Sequence, residues 1–241
     1  MLHQPFALAR CSPIGHVYKA GTAPPTNIRA VAMNVNELWH SSNPSAWEEA
    51  LQRYWDFVQP RNMALERALD ELDMRRFQGL SPQGWYDFLH DEYFRWKYTA
   101  PNRYATTTIQ LRKYVEQNAL ANLDGIRRQL LKLDLNDVGA GLKTAKKIRG
   151  LGTAGASGLL SLMYPEHFAT VDQFVVKALR EVKDLPDASL LAKMNPLNLS
   201  VTDGVLLIGI LKRKAIENNQ LFRTLAWSPR KIDMVLWTFG R

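Results

Sequence analysis

The stretch Ile148-Arg-Gly-Leu-Gly-Thr153 forms a Gly-x-Gly turn between two helical patterns. Gly150 and Gly152 suit a turn that needs positive φ and a close approach of the backbone, and Thr153 begins the next helical pattern. Amide groups at the start of a helix attract phosphate without reading base sequence, because the helix dipole is positive there. The turn therefore predicts a contact with a nucleic-acid backbone.

Basic side chains precede this turn, at Lys143, Lys146, Lys147 and Arg149. If three or four of them each neutralised one phosphate, the salt slope of duplex binding would be about −3 to −4. The plainer alternative is a solvated helix face followed by a structural glycine connector, because short glycine motifs are common. The DNA-binding interpretation therefore depends on what surrounds the turn.

A carboxylate, Asp172, follows Gly152 by twenty residues, at the start of a later helical pattern. A carboxylate beside a sugar can stabilise the positive charge that develops as a base–sugar bond breaks, or it can activate water. The alternative is a favourable charge in a helix first turn, with Thr170 as the cap and Gln173 at capping-box spacing. The two roles are compatible.

The sequence over residues 148–179 resembles the helix-hairpin-helix glycosylase superfamily of base-excision repair proteins. The matching positions are Gly150-Leu-Gly152, Ala156, Pro165, Phe168, Val171-Asp172 and Val175. The resemblance implies a multi-helix, glycosylase-like architecture whose hairpin holds the DNA backbone, often with a monovalent cation. It also implies that Asp172 assists cleavage of the base–sugar bond. Lys146, Lys147, Arg149, Gly150, Gly152 and Thr153 are then the DNA-binding candidates.

Three positions depart from the family pattern. Ala154 stands where bifunctional members carry a nucleophilic lysine, so Schiff-base lyase chemistry is not expected. Arg149 replaces a common proline, and Gly155 replaces a larger residue. Three functions stay open: a monofunctional DNA N-glycosylase acting on a damaged or modified base, a noncatalytic helix-hairpin-helix DNA-binding module, and a helical protein-interaction domain.

A second cluster, Tyr93-Phe-Arg-Trp-Lys-Tyr98, combines aromatic and basic residues, and Arg103 follows it. Aromatic rings can stack on an extruded base while cations hold its phosphates, which makes Trp96, Lys97 and Arg103 pocket candidates. The alternative is that the aromatics are core contacts and the cations reach solvent. No metal site is predicted, because His90 and His167 lack a partner at ligand spacing.

Helical periodicity dominates from Asn43 onwards, and no strand alternation is sustained, so the sequence predicts an all-α protein. Asn43-Pro44, Ser81-Pro82 and Ser228-Pro229 each fit a helix start with an N-cap followed by proline. Residues 184–200 predict a connection with at most one short helix. The expected helices cover residues 43–58, 62–77, 82–96, 103–117, 122–132, 137–148, 153–163, 172–182, 203–218 and 229–238.

The chain is divided into a flexible N-terminal tail (residues 1–36) and a helical region (residues 37–241) of one or two packed subdomains. The tail prediction rests on several Pro and Gly residues and on the lack of acidic residues before Glu37. Such a start is compatible with a transit segment, and a translation start at Met33 is an equal alternative.

Composition favours an intracellular, DNA-binding protein. The 241 residues carry a formal net charge of +8 and a single cysteine, Cys11, which excludes an intrachain disulfide and a multi-cysteine metal site. The longest apolar run, residues 205–211, is far shorter than the roughly 20 residues that span a membrane. We therefore expect DNA as partner, no membrane association, and a cytoplasmic or nucleoid-associated location.

Overall fold

The structure, a computed structural model, describes residues 33–241, and every regular element in this range is helical. The all-α prediction is confirmed. In chain order the elements are α1 (Val35–Trp39), α2 (Pro44–Phe57), α3 (Pro60–Asp70), α4 (Met74–Gly79), α5 (Pro82–Asp87), a π-helical segment (Phe88–Tyr93), α6 (Phe94–Lys97), α7 (Pro101–Glu116), α8 (Leu120–Leu130), α9 (Val138–Ala145), α10 (Thr153–Met163), α11 (Gln173–Arg180), α12 (Ala188–Lys193), α13 (Val201–Phe222) and α14 (Pro229–Gly240).

The predicted helix starts are confirmed by their capping contacts. The side chains of Asn43, Ser81 and Ser228 accept backbone N–H groups in the first turns of α2, α5 and α14, at 3.0, 3.0 and 3.3 Å. Each is followed by proline at the first helical position, where no N–H is required. The connection over residues 184–200 contains one short helix, α12, as expected.

The prediction of a single helix over residues 62–77 is wrong, because α3 ends at Asp70 and α4 begins at Met74. Asp73 starts the second helix by accepting the Arg75 N–H at 2.8 Å. An aspartate side chain competes with helical hydrogen bonding and favours a cap, so the chain breaks where it was expected to continue.

The boundary of the predicted tail also moves. Asn34 and Glu37 form a capping box that starts α1 at Val35, so the helical region begins two residues before the expected position 37. The Asn36 side chain accepts the Lys183 N–H at 2.8 Å and thereby attaches α1 to the segment that follows α11. The rest of the tail prediction, residues 1–32, lies outside the described residues.

Helix α14 lies at the centre of the packing and contacts α2, α10, α11 and α13. Its last residue, Gly240, presses against the backbone of Phe174, since a Cβ at position 240 would lie 1.9 Å from the Phe174 carbonyl oxygen. Only glycine permits this contact, which fixes the start of α11 against the end of α14. The residue that precedes α11 is Asp172, at the candidate site.

The apolar run at residues 205–211 lies within α13, the longest described helix. Leu207, Ile208 and Leu211 are buried, whereas Val205 is exposed, so the buried members of the run lie on one face of the helix. No helix among residues 33–241 is long and apolar enough to cross a membrane.

The turn between α9 and α10 matches the prediction at Gly150 but not at Gly152. Gly150 has φ +94°, and a Cβ there would lie 2.8 Å from the Thr107 carbonyl oxygen. Gly152 has φ −84° and extended backbone, and a Cβ there would meet no atom within 4 Å. The close approach and the positive φ therefore belong to Gly150 alone.

We expect Gly150→Ala to destabilise the fold by about 1–3 kcal/mol, because it adds both backbone strain and a clash with Thr107. Gly125 in α8 is the matched control, since a Cβ there has no neighbour within 4 Å. Gly125→Ala should stabilise by about 0.5–1 kcal/mol through helix propensity. Urea unfolding monitored by circular dichroism measures both. Equal stability of the two variants would contradict this account of the turn.

Candidate functional site

Tyrosine hydroxyls from the preceding helices hold the hairpin. Tyr114 donates to the Lys147 carbonyl at 3.1 Å and accepts the Arg149 N–H at 3.3 Å. Tyr98 donates to the Gly150 carbonyl at 3.4 Å. The turn is therefore attached to α7 and to the end of α6, in addition to its own two helices.

These contacts bear on the monovalent cation that the resemblance implies. Carbonyl oxygens of the turn already accept protein donors, since Ile148 accepts the Leu151 N–H at 3.1 Å in addition to the two tyrosine contacts. The described carbonyl oxygens of the turn do not form a free set that would identify a cation site. The monovalent cation therefore stays a prediction of the resemblance. Among the described residues, no group of three or more His, Cys, Asp or Glu side chains is placed to hold a metal ion.

The outer face of the turn is exposed and basic. Lys146, Lys147 and Gly152 are exposed, and Lys147 Nζ donates to a side chain of α8 at 2.7 Å. No side chain caps the start of α10 at Gly152. The first-turn amides of α10 therefore lack a capping acceptor, which is the condition for anion binding at a helix start.

Two of the DNA-binding candidates are placed less favourably. The Thr153 side chain is buried and accepts Lys146 Nζ at 3.4 Å, so only its amide is available to a phosphate. The Arg149 guanidinium is half-buried and lies 4.7 Å from the centre of the Tyr114 ring. The exposed contacts of the hairpin are therefore the two lysines and Gly152.

Asp172 is itself the N-cap of α11, which corrects the expectation that it lies in the first turn with Thr170 as cap. Its Oδ1 accepts the Phe174 N–H at 3.0 Å, and its Oδ2 accepts Lys97 Nζ at 3.2 Å. The Thr170 amide instead donates to Asp233 Oδ2 at 2.6 Å. The Asp172 side chain is 17% exposed, so it is held in place but not sealed off.

Helix α10 connects the hairpin to Asp172. Ser157 Oγ accepts the N–H of Val171, the residue before Asp172, at 2.9 Å. The Tyr93 hydroxyl donates to the Gly155 carbonyl, which packs the segment that carries Lys97 against the same helix. The hairpin, Lys97 and Asp172 therefore belong to one continuously packed unit.

A cavity of about 480 Å³ opens beside Asp172. Trp96 and Lys97 line it, as expected of pocket candidates, whereas Arg103 does not. Arg103 is exposed in the first turn of α7, and its assignment to the pocket is wrong. The further residues that line the cavity include Tyr54, Phe57, Arg61, Glu66, Thr170, Phe174, Arg230, Asp233, Trp237 and Arg241.

The aromatic cluster at residues 93–98 divides between two roles. Tyr93 and Phe94 are fully buried, so the core interpretation holds for them. Trp96 and Lys97 face the cavity, where Trp96 Nε1 donates to Glu66 Oε2 at 2.7 Å. Tyr93 and Phe94 therefore lie on the core side of this helical segment, and Trp96 and Lys97 lie on its cavity side.

A buried charge cluster, Arg230 with Glu66 and Asp233, forms one wall of the cavity. Arg230 Nη1 pairs with Asp233 Oδ1 at 2.9 Å, and Arg230 Nη2 lies 3.5 Å from Glu66 Oε1. The Tyr54 hydroxyl donates to Glu66. Burial raises the pKa of the Asp233 carboxyl to about 7, although the Arg230 charge lowers it. Burial likewise raises the pKa of the Tyr54 hydroxyl well above its usual range.

Sequence reasoning missed this cluster, because its members are far apart along the chain. The Arg230 and Tyr54 side chains approach across 176 positions, and Glu66 and Trp96 across 30. One local sign was present: Arg230 and Asp233 stand one helical turn apart among buried apolar residues of α14. A charged pair on an apolar helix face indicates a buried interaction.

Comparison with protein-family models, with curated proteins and with solved structures finds no match for this chain. The functional argument therefore rests on the contacts within this protein. The three features that support a function are the fixed carboxylate of Asp172, the adjacent cavity and the exposed hairpin.

We expect Arg230→Met to destabilise the protein by about 3–5 kcal/mol near neutral pH, because Glu66 and Asp233 would be left buried without a counterion. The matched control is Arg213→Met, which removes an ion pair with Asp187 whose arginine is 61% exposed. That change should cost less than about 1 kcal/mol.

The pH dependence follows from Asp233. Its folded pKa of about 7 exceeds the unfolded value, so the folded state favours the protonated carboxyl, and its contribution is lost as pH rises through 7. Loss of Arg230 raises this pKa further, so the deficit of Arg230→Met should shrink by up to about 1.4 kcal/mol between pH 8 and pH 5. Urea unfolding at both pH values measures this, and a deficit independent of pH would contradict it.

Proposed function

We propose that this protein is a DNA-binding protein of the helix-hairpin-helix glycosylase architecture that acts as a monofunctional DNA N-glycosylase on a damaged or modified base. One observation carries the proposal: Asp172 lines an aromatic cavity while α11 and Lys97 hold its two oxygens. The hairpin that leads into α10 supplies the expected DNA contact.

The hairpin supports backbone binding. Lys146 and Lys147 are exposed beside the uncapped start of α10, where Gly152 leaves space for an anion. Phosphate contacts of this kind set the position of a protein on DNA without specifying sequence. The net charge of +8 favours the same partner.

The cavity supports the capture of an extruded base. Trp96, Phe174 and Trp237 line it, and a planar base gains about 1–3 kcal/mol when it stacks on an aromatic ring. An enzyme that acts on the base–sugar bond must take the nucleotide out of the duplex stack. The Asp172 carboxylate lines the same cavity and is partly exposed. The sugar of such a nucleotide would lie beside it.

The chemistry assigned to Asp172 is hydrolysis. As the bond breaks, its electron pair leaves with the base and positive charge develops on the sugar, which a carboxylate stabilises. Water then adds its oxygen to the sugar carbon and gives one proton to Asp172; Asp172 returns this proton to solvent, from which the departing base takes up one proton. Lys97 and the Phe174 amide orient the carboxylate for this step.

The second candidate is a noncatalytic DNA-binding module. It is favoured by the same contacts, because capping α11 and pairing with Lys97 are sufficient reasons for an aspartate at position 172. Such a protein would bind DNA and release no base. A protein-interaction domain would show only weak, salt-sensitive attraction to DNA.

We expect Asp172→Asn to lower base release by about 10²- to 10⁴-fold while DNA binding persists, because asparagine keeps the cap but removes the charge. The matched control is Asp137→Asn, the same change at the N-cap of α9, which does not line the cavity. Duplexes with uracil, hypoxanthine, an oxidised guanine or an alkylated adenine provide the assay. Full release by Asp172→Asn would exclude the catalytic role, and binding without release by the native protein would favour the noncatalytic module.

The absence of lyase chemistry is tested on the same duplexes. Position 154 offers no amine, and Lys97 is the lysine that lines the cavity within residues 33–241. Borohydride added to native protein and abasic-site DNA should therefore trap no covalent adduct. An adduct that disappears in Lys97→Met would identify Lys97 as a nucleophile and contradict the monofunctional assignment.

We expect Gly152→Asp to weaken duplex binding by about tenfold or more, because a carboxylate would occupy the anion position at the start of α10. Gly152→Asn has the same shape without the charge and should have a smaller effect. Lys147→Gln should reduce the magnitude of the salt slope by about one. Fluorescence anisotropy at several salt concentrations measures all three. Unchanged binding by Gly152→Asp would place the DNA contact elsewhere.

A further inference from the structure

A buried donor in the cavity wall lacks a partner. The Arg230 side chain lines the cavity and is only 5% exposed. Its Nη1 and Nη2 atoms face Asp233 and Glu66, but Nε has no hydrogen-bond partner within the described part of the chain. Buried donors are nearly always paired in folded proteins, but this N–H is closed off from the cavity, so the donors that a ligand meets belong to other side chains of the lining.

Lys97 supplies donors to the cavity. Its ammonium carries three N–H groups and uses one on Asp172 at 3.2 Å. The side chain is only 10% exposed. Two N–H groups are therefore left for whatever enters the cavity.

The buried acceptors of the wall are already engaged. The oxygens of Glu66 accept the Tyr54 hydroxyl and Trp96 Nε1. Those of Asp233 accept Arg230 Nη1 and the Thr170 amide, at 2.9 and 2.6 Å. The cavity therefore offers donors in excess of acceptors.

The lining also carries a net positive charge. Arg61 and Arg241 line the cavity together with Arg230 and Lys97, opposite the three carboxylates of Glu66, Asp172 and Asp233. Arg61 and Arg241 are exposed and retain N–H groups for a ligand. A cationic, alkylated base gains nothing from this lining.

We propose that the cavity selects bases that present a carbonyl oxygen over bases that carry an amino group at the same position. The inference rests on the proposed function, because it assumes that a base enters the cavity. A carbonyl oxygen accepts from Lys97 Nζ, whereas an amino group places a donor against a donor and leaves both unpaired. Deaminated bases and oxidised bases with an added carbonyl belong to the favoured class.

Two pairs of bases test this with little change of shape. Uracil and cytosine differ by a carbonyl in place of an amino group, as do hypoxanthine and adenine. Each is placed in one duplex opposite an abasic analogue, so that no base pair opposes extrusion. Binding is measured on the Asp172→Asn protein, which prevents turnover. We expect uracil and hypoxanthine to bind about tenfold tighter than their amino counterparts, as one hydrogen bond to a charged donor predicts.

Variants in the Asp172→Asn background identify the donor. Lys97→Met should reduce the preference to within about twofold if Lys97 reads the carbonyl, and Lys97→Arg should restore part of it. Lys177→Met, an exposed change on α11 outside the cavity lining, should leave the preference intact. A preference that Lys97→Met leaves unchanged would overturn the inference, because the donor would then not be Lys97.

Equal affinities, or a preference for the amino members, would overturn the inference. Inorganic phosphate that abolishes the preference at constant ionic strength would also overturn it, because the donors would then serve a phosphate. If the native protein releases no base but the preference persists, only the catalytic proposal fails. If it releases both members of each pair equally, only this inference fails. Absence of any duplex binding would overturn both.

Discussion

The cavity depends on one buried cation. Arg230 in α14 lies between Asp233 of its own helix and Glu66 of α3, and Asp233 in turn accepts the amide of Thr170 just before α11. The same guanidinium therefore ties together α3, α14 and the segment that carries Asp172. Because removing Arg230 leaves two buried carboxyl groups without a counterion, the cluster is retained or lost as a unit.

The hairpin is fixed by a different kind of contact. Tyrosine hydroxyls from positions 93, 98 and 114 donate to backbone carbonyls at the turn and at the start of α10, and these bonds need no charge. Lys146 and Lys147 lie at the surface beside this fixed backbone, where each makes one hydrogen bond within the protein. A fixed backbone with exposed cations suits a phosphate contact, which requires position more than sequence recognition.

The parts that sequence predicted are those decided within a few residues. The proline-associated caps and the positive φ of Gly150 depend on local backbone chemistry, and each is observed. The break at Asp73 was missed because periodicity outweighed a capping residue. Tyr54, Glu66 and Arg230 were missed for another reason: no local pattern shows that helices far apart in sequence will enclose one cavity.

The composition of the cavity wall is itself an argument about function. Burying two carboxylates and a guanidinium costs several kcal/mol of desolvation, and apolar residues of similar volume often serve stability as well or better. The buried charges beside Asp172 are therefore better explained by a polar ligand than by folding. Aromatic rings on the same cavity favour a planar ligand, and the basic hairpin on the same helix unit favours one attached to a phosphate backbone.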